Sequence, residues 1–236
     1  MNTEDPFTRY SRQIFIEEIG VPGQRSIQQA KVLMVGAGGL GSPVIQYLAA
    51  AGVGTLGVAD FDSVELHNLN RQVIHSEKSI GTSKVDSASA FVKELNSLVC
   101  FKAHKSKIDA FNAREIISGY DIVVDGCDNF TGRYIINDAC VELNKPLVYG
   151  SISAFEGQLA VFNLNGSKNL RDLFPDIPDA SEIRNCDRNG VLGPLPGIVG
   201  SMMALQVLKI ITGLPVESNQ LTLIDTLQWN FIKIRF

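Results

Sequence analysis

The chain has 236 residues, of which 45% are apolar and 19% are charged, as is typical of a globular domain with a substantial core. Its net charge of −4 argues against a general nucleic-acid-binding protein, because such proteins usually have an excess of basic residues. The polar N-terminus is unlike a secretory signal and no apolar run looks long enough to span a bilayer, so we expect no membrane association and a cytoplasmic location.

The first predicted elements form a β-α-β unit. Residues 7–30 predict one helical segment, and the Val-rich run 32–35 that follows predicts a buried strand. A glycine-rich turn then leads into a predicted helix over 44–51 and a second strand over 55–59, which ends just before Asp60. Such a unit places the turn and the end of the second strand at the same edge of a sheet.

Strands and helices go on alternating as far as residue 150. The predicted helices cover 83–95, 111–117 and 133–143, and the predicted strands cover 101–106, 121–125 and 146–149. This alternation predicts an α/β fold with a Rossmann-like open, mainly parallel central sheet and helices on both faces.

The pattern changes after residue 150. A strand over 158–164 is followed by a long polar loop over 165–190, an apolar helix over 200–212, and two closing strands over 221–225 and 229–234. The closing strands predict a hairpin, and therefore an antiparallel extension at the C-terminal side of the sheet. We expect one domain over residues 1–236.

The glycine-rich turn has the pattern of a phosphate-binding loop. Gly36, Gly38 and Gly39 allow a tight turn whose backbone N–H groups approach phosphate oxygens, and Gly41 allows the helix to pack closely on the strand. Asp60, at the end of the next strand, is placed to accept hydrogen bonds from ribose hydroxyls. These residues predict an adenosine-containing ligand, for which NAD and ATP both fit. A turn that serves packing alone is the alternative.

Two cations and a carboxylate follow this loop. Arg71 and Lys84 favour ATP over NAD, because breaking the bond between the α- and β-phosphates places negative charge on the departing pyrophosphate, and cations stabilise that charge. Asp128 follows the strand over 121–125, at the edge where open α/β sheets bind ligands, and we predict that it holds Mg²⁺. The alternative for Asp128 is capping of the next helix, which Asn129 could also do.

Six motifs in order along the chain resemble one known family. They are Arg9-Tyr10-Ser11-Arg12-Gln13, GAGGLG at 36–41, DFDSVELHNLNRQ at 60–72, Gly81-x-x-Lys84, DGCDN at 125–129 with Arg133 and Asn137, and GVLGPLPG at 190–197. Together they are similar to those of the ThiF/MoeB/HesA adenylyltransferases, the bacterial relatives of ubiquitin-activating enzymes. The resemblance runs from about residue 7 to the C-terminus.

The resemblance implies an activity and a set of site residues. The activity is ATP-dependent adenylation of the C-terminal glycine of a ubiquitin-like sulfur-carrier protein that ends in Gly-Gly, with release of pyrophosphate. The residues assigned to the nucleotide are Gly38, Gly39 and Gly41 at the phosphates, Asp60 at the ribose, and Asn68, Arg71, Gln72 and Lys84 around the triphosphate, with Asp128 holding Mg²⁺.

Further residues are assigned to partners. Arg12 matches an arginine that reaches the γ-phosphate of the neighbouring subunit, which implies a homodimer. Cys186 matches a cysteine of sulfur transfer, although an incidental loop cysteine is the alternative. The loop at 165–190 matches a crossover loop that covers the carrier tail, so residues 31–150 would form the nucleotide-binding half and residues 151–236 the carrier-binding half. Sulfur is expected from a separate cysteine desulfurase or rhodanese-type protein.

The sequence departs from the family at the zinc site. Many members have two C-x-x-C pairs that bind structural zinc, but positions 169–172 read Asn-Leu-Arg-Asp, and no second pair follows the last strand. The cysteines are Cys100, Cys127, Cys140 and Cys186. Since they are far apart, we expect free thiols and no zinc, and interpret the first three as packing residues.

The pathway and two other functions stay open. Arg184-Asn185-Cys186 favours thiamine thiazole formation, with molybdopterin formation as the alternative. An NAD-linked oxidoreductase would share the glycine loop but leave Arg71 and Lys84 unexplained, and a non-catalytic carrier-binding module would not need them. The three histidines show no ligand spacing, and we interpret them as structural or surface residues.

Overall fold

The computed structural model describes residues 6–177 and 190–236, which form helices around one sheet. The strands are β1 Lys31–Val35, β2 Thr55–Ala59, β3 Cys100–His104, β4 Ile122–Asp125, β5 Leu147–Ser153, β6 Glu156–Phe162, β7 Gln220–Asp225 and β8 Asn230–Arg235. The helices are α1 Pro6–Ile14, α2 Gly20–Gln29, α3 Gly41–Ala51, α4 Lys84–Leu95, α5 Ala113–Ser118, α6 Phe130–Glu142, α7 Leu170–Leu173 and α8 Pro194–Thr212. Two short 3₁₀ turns lie at Leu66–Asn68 and Glu77–Ser79.

The sheet joins all eight of these strands, in the order β3-β2-β1-β4-β5-β6-β7-β8. From β3 to β5 neighbouring strands are parallel, and from β5 to β8 they are antiparallel. The predicted α/β fold, with its mainly parallel centre and antiparallel C-terminal extension, is therefore confirmed.

Two hydrophobic clusters lie on opposite faces of the sheet because side chains alternate along each strand. In β1, Val32 and Met34 belong to the cluster that includes apolar residues of α3, α4 and α8. Leu33 and Val35 belong to the cluster on the other face, with residues of α5 and α6. Since both faces of β1 and β4 are covered, the ends of these strands are where polar side chains can meet a ligand.

The N-terminal helical segment is broken, which corrects the single helix predicted over 7–30. Helices α1 and α2 are separated at residues 15–19, and Gly20 begins α2 with a φ of +54°. An L-residue resists this left-handed conformation, so a glycine marks the change of direction. Pro22 follows in the first turn of α2, a position that tolerates its missing N–H.

Helix α8 begins earlier than predicted, at Pro194 instead of Gly200, and ends before Gly213, whose φ is +73°. Its 19 residues are long and apolar enough to cross a bilayer by length and composition alone, so the expectation that no run reaches that length was wrong. In the structure α8 packs on α3, β5 and β6 and contributes Val199, Met203 and Val207 to the core.

Two smaller differences concern the predicted loop and one cysteine. A single helical turn, α7, lies within the predicted loop over 165–190, and Asn169 caps it by accepting a hydrogen bond from the N–H of Arg171. Cys140 is buried, as expected of a packing residue, but Cys100 is exposed on β3. The interpretation of Cys100 as a packing residue was therefore wrong.

Candidate functional site

A cavity of about 610 Å³ opens at the carboxyl ends of the parallel strands. Its lining includes Val35 at the end of β1, Ala59 at the end of β2, Asp60 just after it, and Ser151 in β5. The chain crosses from one side of β1 to the other between β3 and β4, so this edge is the switch point at which open α/β sheets leave a crevice.

The glycine loop forms one wall of this cavity. Gly36, Gly38 and Gly39 line it, and helix α3 begins immediately after them. Gly41 is not among the lining residues: a Cβ there would lie 2.0 Å from the carbonyl oxygen of Gly36. This contact agrees with the close helix–strand packing predicted for Gly41. Its place at the phosphates stays a prediction.

Asp60 lines the cavity and also supports the glycine loop. Its Oδ2 accepts a hydrogen bond from the N–H of Ala37 at 2.8 Å, and its Oδ1 accepts one from the N–H of Asp62 at 2.8 Å. Each carboxylate oxygen can accept more than one hydrogen bond, so these contacts leave room for a hydroxyl. Binding of ribose by Asp60 stays a prediction.

The two predicted cations lie in the same cavity wall. The Lys84 side chain is only 8% exposed, and its Nζ contacts Asp62 Oδ2 at 2.9 Å. Arg71 Nη1 donates to the carbonyl of His67 at 2.9 Å and to Asn70 Oδ1 at 3.0 Å. The sequence analysis did not predict Asp62 as a site residue, although it lies two residues after Asp60 at the cavity edge. These anchors orient both cations beside the glycine loop.

Asp128 is exposed at the cavity, and its neighbour Asn129 caps the helix that follows. Asn129 Oδ1 accepts a hydrogen bond from the N–H of Gly132 at 2.8 Å, so the capping alternative belongs to Asn129. Asp128 accepts a hydrogen bond from Asn129 Nδ2 at 3.2 Å. No group of three or more His, Cys, Asp or Glu within residues 6–177 and 190–236 has the arrangement of a metal site. A single carboxylate suits Mg²⁺ when phosphate oxygens and water complete its shell.

Asn68 and Gln72 differ in their relation to the cavity. Asn68 is absent from the lining, and its Oδ1 accepts a hydrogen bond from the N–H of Glu65 at 3.0 Å, which caps a 3₁₀ turn. Its assignment to the triphosphate stays a prediction. Gln72 does line the cavity and is 4% exposed. Its Oε1 is buried without a hydrogen-bond partner in the described part of the chain, and an unpaired buried oxygen is unfavourable. A ligand donor would satisfy it.

The remaining predicted residues lie elsewhere. Arg12 is exposed on α1 and is not among the residues that line the cavity. Its contact with a neighbouring subunit stays a prediction. Cys186 and residues 178–189 of the predicted crossover loop lie outside the described residues.

Arg133 is a buried cation of the cavity wall that the sequence did not single out as a site residue. Its Nη1 donates to the carbonyl of Gly150 at 2.8 Å and lies 3.4 Å from Asp125 Oδ2, and its Nη2 donates to the carbonyl of Cys127 at 2.5 Å. Burial raises the pKa of Asp125, and the charge of Arg133 opposes that rise. Arg133 thus fixes the loop that presents Asp128. Its place four residues after the DGCDN motif was the available signal.

A second group of missed residues lies beside Asp60. Phe61, Ser106, Lys107 and Ile108 line the cavity after β2 and β3, with Lys107 Nζ 5.7 Å from the centre of the Phe61 ring. No local pattern links them, since the parallel pairing of β2 and β3 brings them together.

Comparison with known proteins identifies relatives of this fold. The chain is 47% identical over 228 residues to the Aedes aegypti protein named "Adenylyltransferase and sulfurtransferase MOCS3", a match covering 96% of the chain and 52% of the relative. It is 46% identical over 236 residues to the Xenopus laevis protein of the same name, covering 99% of the chain and 52% of the relative. The chain spans about half the length of these curated relatives.

Solved structures share the fold at low sequence identity. The crystal structure of E. coli MccB with ATP matches with a TM-score of 0.84 at 22% identity and covers 96% of this chain and 71% of that one. The crystal structure of PaaA matches with a TM-score of 0.82 at 23% identity, and the match covers 97% of this chain and 73% of that one. Residues 10–236 match the ThiF family. Since this match takes in the whole sheet and the cavity at its edge, the chain belongs to the ThiF family.

Proposed function

We propose that the chain uses ATP to adenylate the C-terminal glycine carboxylate of a ubiquitin-like sulfur-carrier protein. One observation carries the proposal: Arg71, Lys84 and Asp128, distant in sequence, line one cavity with the glycine loop. The relatives' shared name, adenylyltransferase and sulfurtransferase, supports the same chemistry.

The reaction needs positioning more than proton transfer. A carboxylate oxygen of the carrier forms a bond to the α-phosphorus of ATP, and the bond from that phosphorus to the bridging oxygen of the β-phosphate breaks. Pyrophosphate leaves with the electron pair, and an acyl-adenylate remains. Because the carboxylate is ionised at neutral pH, it attacks without a general base. Orientation in line and stabilisation of charge on the leaving group then lower the barrier.

The side chains of the cavity have separate tasks in this reaction. Lys84 and Arg71 stabilise the negative charge that builds on pyrophosphate, while N–H groups of the glycine loop contact the phosphates. Gln72 offers its unpaired Oε1 to a donor of the nucleotide. Asp128 would hold Mg²⁺, which when bound neutralises part of the phosphate charge.

The carrier branch is part of the proposal. Relatives named MOCS3 favour molybdopterin formation over thiamine thiazole formation, toward which the sequence around Cys186 had pointed. We therefore propose a molybdopterin carrier as the substrate, a separate sulfur donor, and a cytoplasmic homodimer in which Arg12 reaches the neighbouring cavity. An oxidoreductase or a carrier-binding module without catalysis leaves the paired cations without a task.

The test is to offer the purified protein several Gly-Gly-ended carriers with Mg²⁺ and ATP, and to measure the intact mass of each carrier. We expect the molybdopterin carrier to gain the mass of adenylate and the thiamine carrier to gain less. Adenylation of the thiamine carrier alone would overturn the branch. If no carrier gains adenylate, yet the protein quenches or shifts the fluorescence of NADH, the adenylation proposal is wrong.

A further inference from the structure

The glycine loop is held from two sides at one fully buried residue. The N–H of Ala37 donates to Asp60 Oδ2 at 2.8 Å, and the carbonyl of Ala37 lies 2.9 Å from His75 Nε2. The contact of Asp60 with the loop could be expected, because Asp60 directly follows β2. The contact of His75 could not be expected from the sequence, because His75 lies beyond the 3₁₀ turn and belongs to no ligand motif.

Hydrogen bonding fixes the tautomer of His75. A carbonyl oxygen only accepts hydrogen bonds, so Nε2 must carry the hydrogen and donate a hydrogen bond to the carbonyl of Ala37. Nδ1 lies 2.8 Å from Ser87 Oγ, so the neutral ring accepts there from the hydroxyl. Both side chains are buried, and burial lowers the pKa of His75 and so favours the neutral ring, while the hydrogen bond to Ala37 opposes that shift.

His75 also joins the loop to the helix that presents a cation. Ser87 lies in the first turns of α4, which begins with Lys84. Through one imidazole, the glycine loop is connected to the helix whose first side chain reaches the same cavity. The backbone N–H of His75 adds a third link, because it donates to the carbonyl of Gln72 at 3.0 Å.

We propose that His75 is a positioning residue that aims the N–H of Gly38 at the nucleotide, an inference that rests on the proposed use of ATP. The carbonyl of Ala37 and the N–H of Gly38 belong to one planar, trans peptide and point in opposite directions. A donor behind the loop therefore turns that N–H toward the cavity, which Gly38 lines. Without the donor, the glycine lets this peptide rotate, and the N–H is no longer held in place.

The experiment measures ATP affinity by calorimetry for the wild-type chain, His75→Leu and His75→Gln. We expect His75→Leu to weaken ATP binding about tenfold, because it removes a donor from a buried carbonyl. His75→Gln keeps an N–H at a similar reach, so it should restore affinity to within about threefold of wild type. His104→Leu is the matched control, since that half-buried imidazole hydrogen-bonds to Tyr120 and is not among the residues that line the cavity.

The outcomes separate this inference from the proposed function. Equal ATP affinity of wild type and His75→Leu, or equal weakening by Leu and Gln, would overturn the role of His75 alone. Absence of ATP binding by the wild-type chain would overturn the proposed function and this inference with it. Should His75→Leu not fold, His75→Asn against His75→Gln makes the same test, because Asn is too short to reach Ala37.

Discussion

Strands β4 and β8 belong to one sheet but have opposite surroundings. All four residues of β4 are buried, whereas all six residues of β8 are exposed at the edge of the sheet. Helices cover both faces of β1 and β4 at the centre of the parallel half, so polar side chains there are confined to the strand ends, where the cavity lies. Among the described residues, the antiparallel half ends at β8 and exposes apolar side chains, among them Trp229 and Ile232. One sheet thus has a buried strand at its parallel centre and an exposed strand at its antiparallel end.

The largest difference in stability should come from placing one aspartate in β4 and, in a separate variant, one in β8. Val123→Asp in β4 should cost about 4 kcal/mol or more of the free energy of unfolding, because an unpaired carboxylate would be buried. Ile232→Asp in β8 should cost about 1 kcal/mol or less, since that side chain is 50% exposed. Urea denaturation of both variants checks this, and similar losses would contradict the contrast.

Arg133→Leu should have the next largest effect. It should lower the free energy of unfolding by about 3 kcal/mol, because it leaves Asp125 buried without its counter-charge. Burial already raises the pKa of Asp125, and removing Arg133 should raise it further. The folded state then binds a proton that the unfolded state has released, so the variant's stability should fall as pH rises above the ordinary carboxyl pKa of about 4.

Denaturation between pH 4 and 8 measures this slope. The double variant Arg133→Leu with Asp125→Asn should lose the pH dependence that Arg133→Leu introduces, because the carboxyl at position 125 is no longer there to titrate. A slope that persists in the double variant would show that another group is responsible.

Asp128→Asn should lower the adenylation rate about a hundredfold and raise the Mg²⁺ concentration needed for half-maximal rate. Stability should change little, since Asp128 is exposed and Asn129 caps α6. Steady-state rates over a magnesium titration give the answer, and an unchanged magnesium requirement would remove Asp128 from the metal site.

The smallest effect concerns the neighbouring residue. Asn129→Ala should cost about 1 kcal/mol of stability, because the N–H of Gly132 loses its acceptor at the start of α6. Thermal unfolding of Asn129→Ala beside Asn129→Ser should show most of that loss restored by Ser, a good capping residue. If both variants match wild type, the cap contributes nothing.

Local sequence patterns were enough to predict much of the parallel half of the sheet. The apolar run of β4 and the glycine turn at 36–41 are signals within a few residues, and the structure has both where expected. The break at Gly20 and the early start of α8 were missed, because helical periodicity does not mark where backbone direction changes. Gly and Pro were the only cues to these boundaries.

Contacts between distant residues account for the rest. Asn68 stands within a motif, yet only the fold shows that its side chain is used by the 3₁₀ turn. The links from His75 to Ala37 and from Arg133 to Gly150 join segments that no local pattern relates. The glycine loop, Arg71, Lys84 and Asp128 could thus be predicted from sequence motifs, whereas Lys107, Arg133 and the contacts that support the site required the structure.

Carrier-dependent exchange of labelled pyrophosphate into ATP tests the central claim most directly, with Lys84→Ala compared with Lys93→Ala. Both lysines lie on α4, but Lys84 lines the cavity and Lys93 is exposed at the far end of the helix. We expect exchange to fall by a factor on the order of 100 to 1,000 in Lys84→Ala and to be unchanged in Lys93→Ala. Equal exchange by Lys84→Ala and the wild-type chain would contradict the claim that this cavity cleaves ATP.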